Sequence, residues 1–184
     1  MRGLFKISIF VVVSAVFSGC LGLGSLNPFS SSTFEVKEGY LSLGKINENI
    51  LLQLPLKEKV GTNEVKLVNV KIYSATNQKS LIVEVDFIFK SFEIPEGLPA
   101  IAKFASSLKY NPDTREFKLK DLKLIDVRFL KEQLVEYITP QQKAFIPDAL
   151  KIKLQEITLH KSKKRFTTIK SFETKEGKIK VKFN

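Results

Sequence analysis

One cysteine, Cys20, and one histidine, His160, are the only side chains in this 184-residue chain suited to soft nucleophilic or imidazole chemistry. With a single member of each type, a Cys/His or multi-histidine metal site cannot be built. His160 stands in the basic run His160 to Arg165 (HKSKKR), which reads as an exposed segment. The carboxylates offer little more. Asp121 and Asp126 are five apart in a strand-like segment and would tend to face opposite sides, unlike a working acid/base pair. Glu84 and Asp86 share a face, but it is the polar face of an alternating strand, where they read as solvated or paired with lysines. Gly177-Lys178 lacks the other glycine and the Ser/Thr of a phosphate-cradling loop. The residues therefore suggest no enzyme, no cofactor and no metal.

Cys20 has a more specific context. Arg2 and Lys6 give a basic start, Ile7 to Phe17 are mostly apolar, and Ser18-Gly19 put small residues ahead of the thiol. These are the three parts of an export signal. Eleven residues rise only about 16 Å as a helix, roughly half a hydrocarbon core, so the run is too short for a permanent span. Phe17-Ser-Gly-Cys20 resembles the lipobox read by lipoprotein signal peptidase, with Phe17 where that motif prefers Leu. The resemblance implies cleavage before Cys20 and a thioether to diacylglycerol on its thiol. A diacylglyceryl group plus an N-acyl chain would hold the protein on a membrane, since each buried methylene contributes about 0.8 kcal/mol and one chain alone anchors marginally. Leu21 follows the cysteine. By analogy with Gram-negative sorting, the absence of Asp there favours the outer membrane, facing the periplasm. The plainer alternative is an ordinary signal peptide with an incidental cysteine.

Without its first 19 residues the chain retains 165, one ordinary domain in size. Leu21 to Thr33 (LGLGSLNPFSSST) is rich in Gly and Ser and uncharged, which is tether composition, roughly 20 Å end to end on average. Residues 1–19 thus read as a lipoprotein signal peptide, 20–33 as the acylated cysteine and its tether, and 34–184 as a single domain. No second thiol is present, so no internal disulfide forms even in an oxidising compartment.

Charge is uneven. The first 19 residues hold two of the 30 basic residues and no acid, leaving 28 against 19, a net +9. Lys151 to Asn184 carry 11 basic and 3 acidic residues, +8 of that +9. Two readings stand side by side: a solvated lysine-rich face, or attraction to anionic headgroups, worth about 1 kcal/mol per residue near a membrane surface. Lys161, Lys163, Lys164 and Arg165 are the headgroup candidates. The envelope location argues against nucleic acid despite the basic pI.

The elements that must position these residues are mainly strands. Leu81, Val83, Val85, Phe87 and Phe89 alternate with polar or smaller partners through Lys90, predicting a strand of about ten residues. Glu64 to Ser74 predicts another, joined to it by a turn at Ala75 to Gln78. Asn111 to Thr114 reads as a turn, and Glu116 to Phe129 as a long strand. Its apolar phase slips near Asp121, with Phe117 and Leu119 on one face and Leu122 and Leu124 on the other. A bulge or coil there would let it bend around something. Ala100 to Tyr110 fits an amphipathic helix or a strand equally. Lys131 to Phe145 is helical by period, with Leu134, Val135, Ile138 and Phe145 on one face and Pro140 forcing a kink or a new first turn. Ile46 to Leu54 predicts a shorter helix closed by Pro55. Ser171 to Thr174 and Lys178 to Phe183 flank Lys175-Glu176-Gly177 as a hairpin.

This order of elements resembles the YceB-like periplasmic lipoproteins, a family of uncharacterised function. The local matches are Leu67-Val68-Asn69-Val70, Tyr110 to Arg115 leading into Lys120 to Val127, and Lys175 to Ile179 with Val181 and Phe183. The resemblance runs from about Phe34 onward and rests on spacing and order rather than on one motif. It implies a relative of the tubular lipid-binding architecture. The expected fold class is α+β: a curved antiparallel four-stranded meander wrapped around a helix, with a short N-terminal helix and a C-terminal hairpin. The resemblance would make Ala100 to Tyr110 the third meander strand. It also implies an apolar ligand, a phospholipid or fatty acid, between sheet and helix.

Composition agrees with an apolar interior, since 12 of the 15 phenylalanines follow Cys20. Val83, Val85, Phe87, Phe89, Phe104, Phe117, Phe129, Leu134 and Ile138 would line or flank a ligand slot, or else pack as plain core. Two functions follow. One is a membrane-tethered module holding a hydrophobic ligand; the other is an adaptor with a filled core that meets an envelope protein.

Overall fold

Alternation of apolar and polar residues dominates the chain after residue 37, and strands dominate its structure. The computed structural model describes residues 38–73, 80–175 and 177–184; these fall within one compact unit, Glu35–Asn184. The signal, Cys20, the tether and the turn at Ala75 to Gln78 lie outside the described residues.

Among the described residues, nine strands and two α-helices follow in the order β1 (Glu38–Ser42), α1 (Leu43–Leu51), β2 (Leu56–Val60), β3 (Asn63–Tyr73), β4 (Leu81–Lys90), β5 (Leu98–Asn111), β6 (Glu116–Phe129), α2 (Pro140–Glu156), β7 (Thr158–Lys161), β8 (Ile169–Lys175) and β9 (Lys178–Phe183). A 3-10 helix, Glu132–Tyr137, precedes α2. The class is α+β, as expected. The sheet is not a four-stranded meander, however. It has six antiparallel strands in the order β2-β3-β4-β5-β6-β7, and β1-β9-β8 form a second sheet of three. The extra strands are short: Leu56–Val60 is mostly charged and Thr158–Lys161 has four residues, so neither shows a legible period.

β4 spans the expected residues, and Ala100 to Tyr110 lies within strand β5. Three extra residues bend the sheet. Val68 is squeezed out of β3 between Leu67 and Asn69. In β6, Asp121 and Leu122 together oppose Ser106, and Ile125 is extra between Leu124 and Asp126. Asp121 takes a φ of 53° there. Each insertion flips the side-chain phase. Leu124 and Val127 therefore oppose the buried Phe104 and Ala102 on the inner face, and Phe129 opposes Ala100. The expected slip at Asp121 is present, but it returns Leu122 and Leu124 to the face of Phe117 and Leu119 instead of opposing them.

The inner face is covered by both helices. Helix α1 starts at the Ser42 cap and buries Leu43, Ile46 and Ile50 at helical spacing; it begins and ends three residues before the expected Ile46 to Leu54. Side-chain amides within α1 and just after it join the two flanks of the six-stranded sheet. Asn47 donates to the Ile72 carbonyl (3.2 Å) and accepts from its N–H (2.8 Å), standing in for a neighbouring strand where β2 has ended. On the other flank Gln53 exchanges two bonds with Thr158 (2.8 and 2.9 Å), and Asn49 donates to Leu159 (3.3 Å). In a flat sheet β3 and β7 would stand about 19 Å apart. One nine-residue helix reaching both means that the sheet is curled.

The expected helix over Lys131 to Phe145 divides into the 3-10 turn and α2. Pro140 is the first helical residue, pre-set for that position and lacking only an N–H that would be unpaired anyway. Thr139 and Gln142 form a reciprocal capping box. The apolar period of α2 runs onward through Ile146, Ala149, Leu150 and Leu154, all buried, with Pro147 tolerated inside. Among the described residues no helix is long and apolar enough to cross a membrane, and no buried side-chain polar atom lacks a hydrogen-bond partner.

Candidate functional site

The expected ligand wall has two parts with different surroundings. Val83, Val85, Phe87, Phe89 and Phe104 point to the inner face and are 0–1% exposed, packed beneath the helices as core. Ile138 is buried at 3%. Phe129 and Leu134, by contrast, are half-buried against that core. Leu124, facing inward opposite Phe104, is 40% exposed. The far half of β6 thus carries an apolar strip that is incompletely covered, because β7 pairs only with Glu116, Phe117 and Lys118.

Phe117 belongs to a third environment. It packs with Tyr110, Phe166 and Phe183, whose ring centroids lie 4.8, 6.5 and 6.3 Å away. Phe166 and Phe183 stack at 4.3 Å. The Tyr110 hydroxyl accepts from the Phe166 N–H (3.1 Å) and donates to the Lys164 carbonyl (3.4 Å). This cluster fastens the three-stranded sheet to the six-stranded one. A small hollow of about 110 Å³ adjoins it, lined by Phe117, His160, Phe166 and Phe183 among others.

His160 is not the exposed residue expected. It is half-buried on β7 opposite Phe117, with ring centroids 6.0 Å apart. Burial, with a lesser contribution from the positive charge of Lys45, holds its imidazole below the ordinary pKa. Among the described residues no three His, Cys, Asp or Glu side chains are grouped to hold a metal ion. Glu84 pairs with Lys103 (3.3 Å) and Asp86 accepts from Asn69 (3.1 Å), as their place on the polar face suggested.

The basic end separates into two surfaces. Lys161, Lys163, Lys164 and Arg165 are exposed around the segment after β7; Arg165 is ion-paired to Asp113 at 3.2 Å. The other surface is the outer face of the three-stranded sheet. Ile179, Val181 and Phe183 of β9 point to the core, so Lys178, Lys180 and Lys182 point out. Lys178 lies opposite Lys175 and Ser42, and Lys180 opposite Glu173 and Tyr40. Lys180 also bonds Glu38 at 3.0 Å, and this bond raises its pKa.

Two hollows share Lys180. One of about 120 Å³ is formed by Tyr40, Lys175, Lys178 and Lys180. The other, about 800 Å³ and open to solvent, runs along β8 between apolar Leu108, Ile169 and Phe172 and polar Lys170, Ser171, Glu173, Lys180 and Lys182. The lysine alternation in Lys178 to Lys182 was readable from sequence, but its alignment with Tyr40 was not, because β1 has only five residues and no apolar period.

No protein-family model and no curated protein sequence matches the chain.

Proposed function

We propose that the chain is a lipid-anchored protein of the bacterial envelope, acylated at Cys20, and that its folded part is a non-catalytic binding module acting through its outer faces. The observation that carries the second half is the 0–1% exposure of Val83, Val85, Phe87, Phe89 and Phe104. Side chains packed to this degree serve stability and leave recognition to the exterior. The anchor rests on the lipobox-like Phe17 to Cys20, and the envelope setting draws support from the resemblance to YceB-like lipoproteins. The curled sheet closed by α1 fits the curved wall that the resemblance implies, with six strands in place of four.

A second reading, a hydrophobic ligand, is favoured by one feature: the apolar strip of Leu124, Phe129 and Leu134 at the open half of β6. An acyl chain laid there would complete the cover of the inner face.

Metabolic labelling with a palmitate analogue tests the anchor. Label on the wild-type chain in the membrane fraction, absent from Cys20→Ser, is the expected result; an unlabelled wild type would end the lipoprotein reading. Native mass spectrometry of the purified chain then separates the two modules. A mass explained by the acylated chain alone favours the adaptor. Additional phospholipid or fatty acid that is lost from a folded Phe129→Asp, Leu134→Asp variant would establish the ligand.

A further inference from the structure

The three-stranded sheet combines a basic outer face with a first strand close in sequence to Cys20. Its strand β1 begins at Glu38, 18 positions after Cys20. Eighteen residues, fully extended, span at most about 65 Å. The same strand contributes Tyr40, 66% exposed, to the hollow formed with Lys175, Lys178 and Lys180. Lys175 and Lys178 are directly opposite each other in the β8–β9 ladder, a pairing of like charges that a bound anion would relieve.

We propose that the outer face of the three-stranded sheet docks on an anionic membrane surface, with a lipid phosphate seated between Lys175, Lys178 and Lys180 beside the ring of Tyr40. The proposal rests on the lipid-anchored reading above and names the surface that the anchor holds against the bilayer. About 120 Å³ accommodates one phosphate group and little more. Lys182 extends the basic surface toward the larger hollow at the β8 edge, which Lys170 and Glu173 also line. The two acids described on this face are Glu38, engaged by Lys180, and Glu173, in register with Lys180. An exposed tyrosine beside lysines suits the boundary between headgroups and water. Attraction of this kind is weak per residue and screened by salt; tethering makes it effective, because the second contact becomes intramolecular.

The experiment uses the full-length chain extracted from membranes and reconstituted into vesicles of phosphatidylcholine, with or without phosphatidylglycerol. Amine-reactive labelling is mapped lysine by lysine. Docking predicts that Lys175, Lys178 and Lys182 label about fivefold more slowly with phosphatidylglycerol present. Lys57 and Lys103, on the six-stranded sheet, should not change, and high salt should erase the difference. A Lys175→Gln, Lys178→Gln variant should lose the protection of Lys182. Equal labelling on both vesicles, with the chain floating alongside them, would overturn docking and leave the anchor intact. A chain that carries no acyl group yet floats only with phosphatidylglycerol would overturn the anchor and sustain docking. Protection by inorganic phosphate on phosphatidylcholine vesicles, unmatched by phosphatidylglycerol, would make this a soluble-anion site and overturn the membrane assignment.

Discussion

His160 shows how little of a residue's setting its neighbours in sequence disclose. The surrounding lysines suggest exposure, yet β7 turns the ring toward Phe117. Its depressed pKa links stability to pH with a definite sign. Above about 6.5 the imidazole is neutral in both folded and unfolded chains and contributes no pH dependence. As pH falls below that value the unfolded chain takes up the proton first, so stability declines until the folded pKa is passed. Urea midpoints measured between about pH 7.5 and 5.5 should therefore fall more for the wild type than for His160→Gln. Parallel declines would assign the loss to other groups. The reading of Cys20 is of the opposite kind: it rests on the residue types immediately before it and calls on no fold.

Among the elements, those with an uninterrupted period were readable. β4 was found at its observed bounds because five inward residues alternate without a break. β6 was read at its observed bounds, but its side-chain phase only to the first irregularity. Leu124, Ile125 and Val127 are all apolar, so the second change of phase at Ile125 is marked only by Asp126 and Arg128, which would otherwise point inward. The expected helix over Lys131 to Phe145 lies too early because Leu134, Val135 and Ile138 mimic the period of α2 before Pro140. The seam made by α1 was invisible, since Asn47, Asn49 and Gln53 look like ordinary polar positions on a short helix. Their contacts give a testable cost. Asn47→Ala removes both partners of the Ile72 peptide groups, and Gln53→Ala does so at Thr158. Each should lower unfolding free energy by about 1–3 kcal/mol in urea titration. The double variant should lose less than the sum, because either change already loosens the helix that serves both flanks. Strict additivity would show that the two flanks are held independently.

For the molecule as a whole, the two sheets meet through Tyr110, Phe117, Phe166 and Phe183. Truncating the stacked ring in Phe183→Ala should cost about 3–5 kcal/mol in unfolding free energy. Hydrogen exchange should show the loss first in β8 and β9, with β4 and β5 keeping more of their protection. A uniform rise in exchange would mean that both sheets unfold as one unit. The net charge at the C-terminal end was plain from composition. Its arrangement as a face was not, because that needs β1, drawn from the other end of the domain.

β9 is the middle strand of its sheet, with β1 on one side and β8 on the other, and Glu38 pairs with Lys182. The strand on which β1 must wait is therefore the one furthest from it in chain order among the described strands. A chain in mid-synthesis, with β9 not yet made, cannot assemble this sheet. The sheet stays open until β9 has arrived, and a chain cut before Lys178 leaves β1 without a partner.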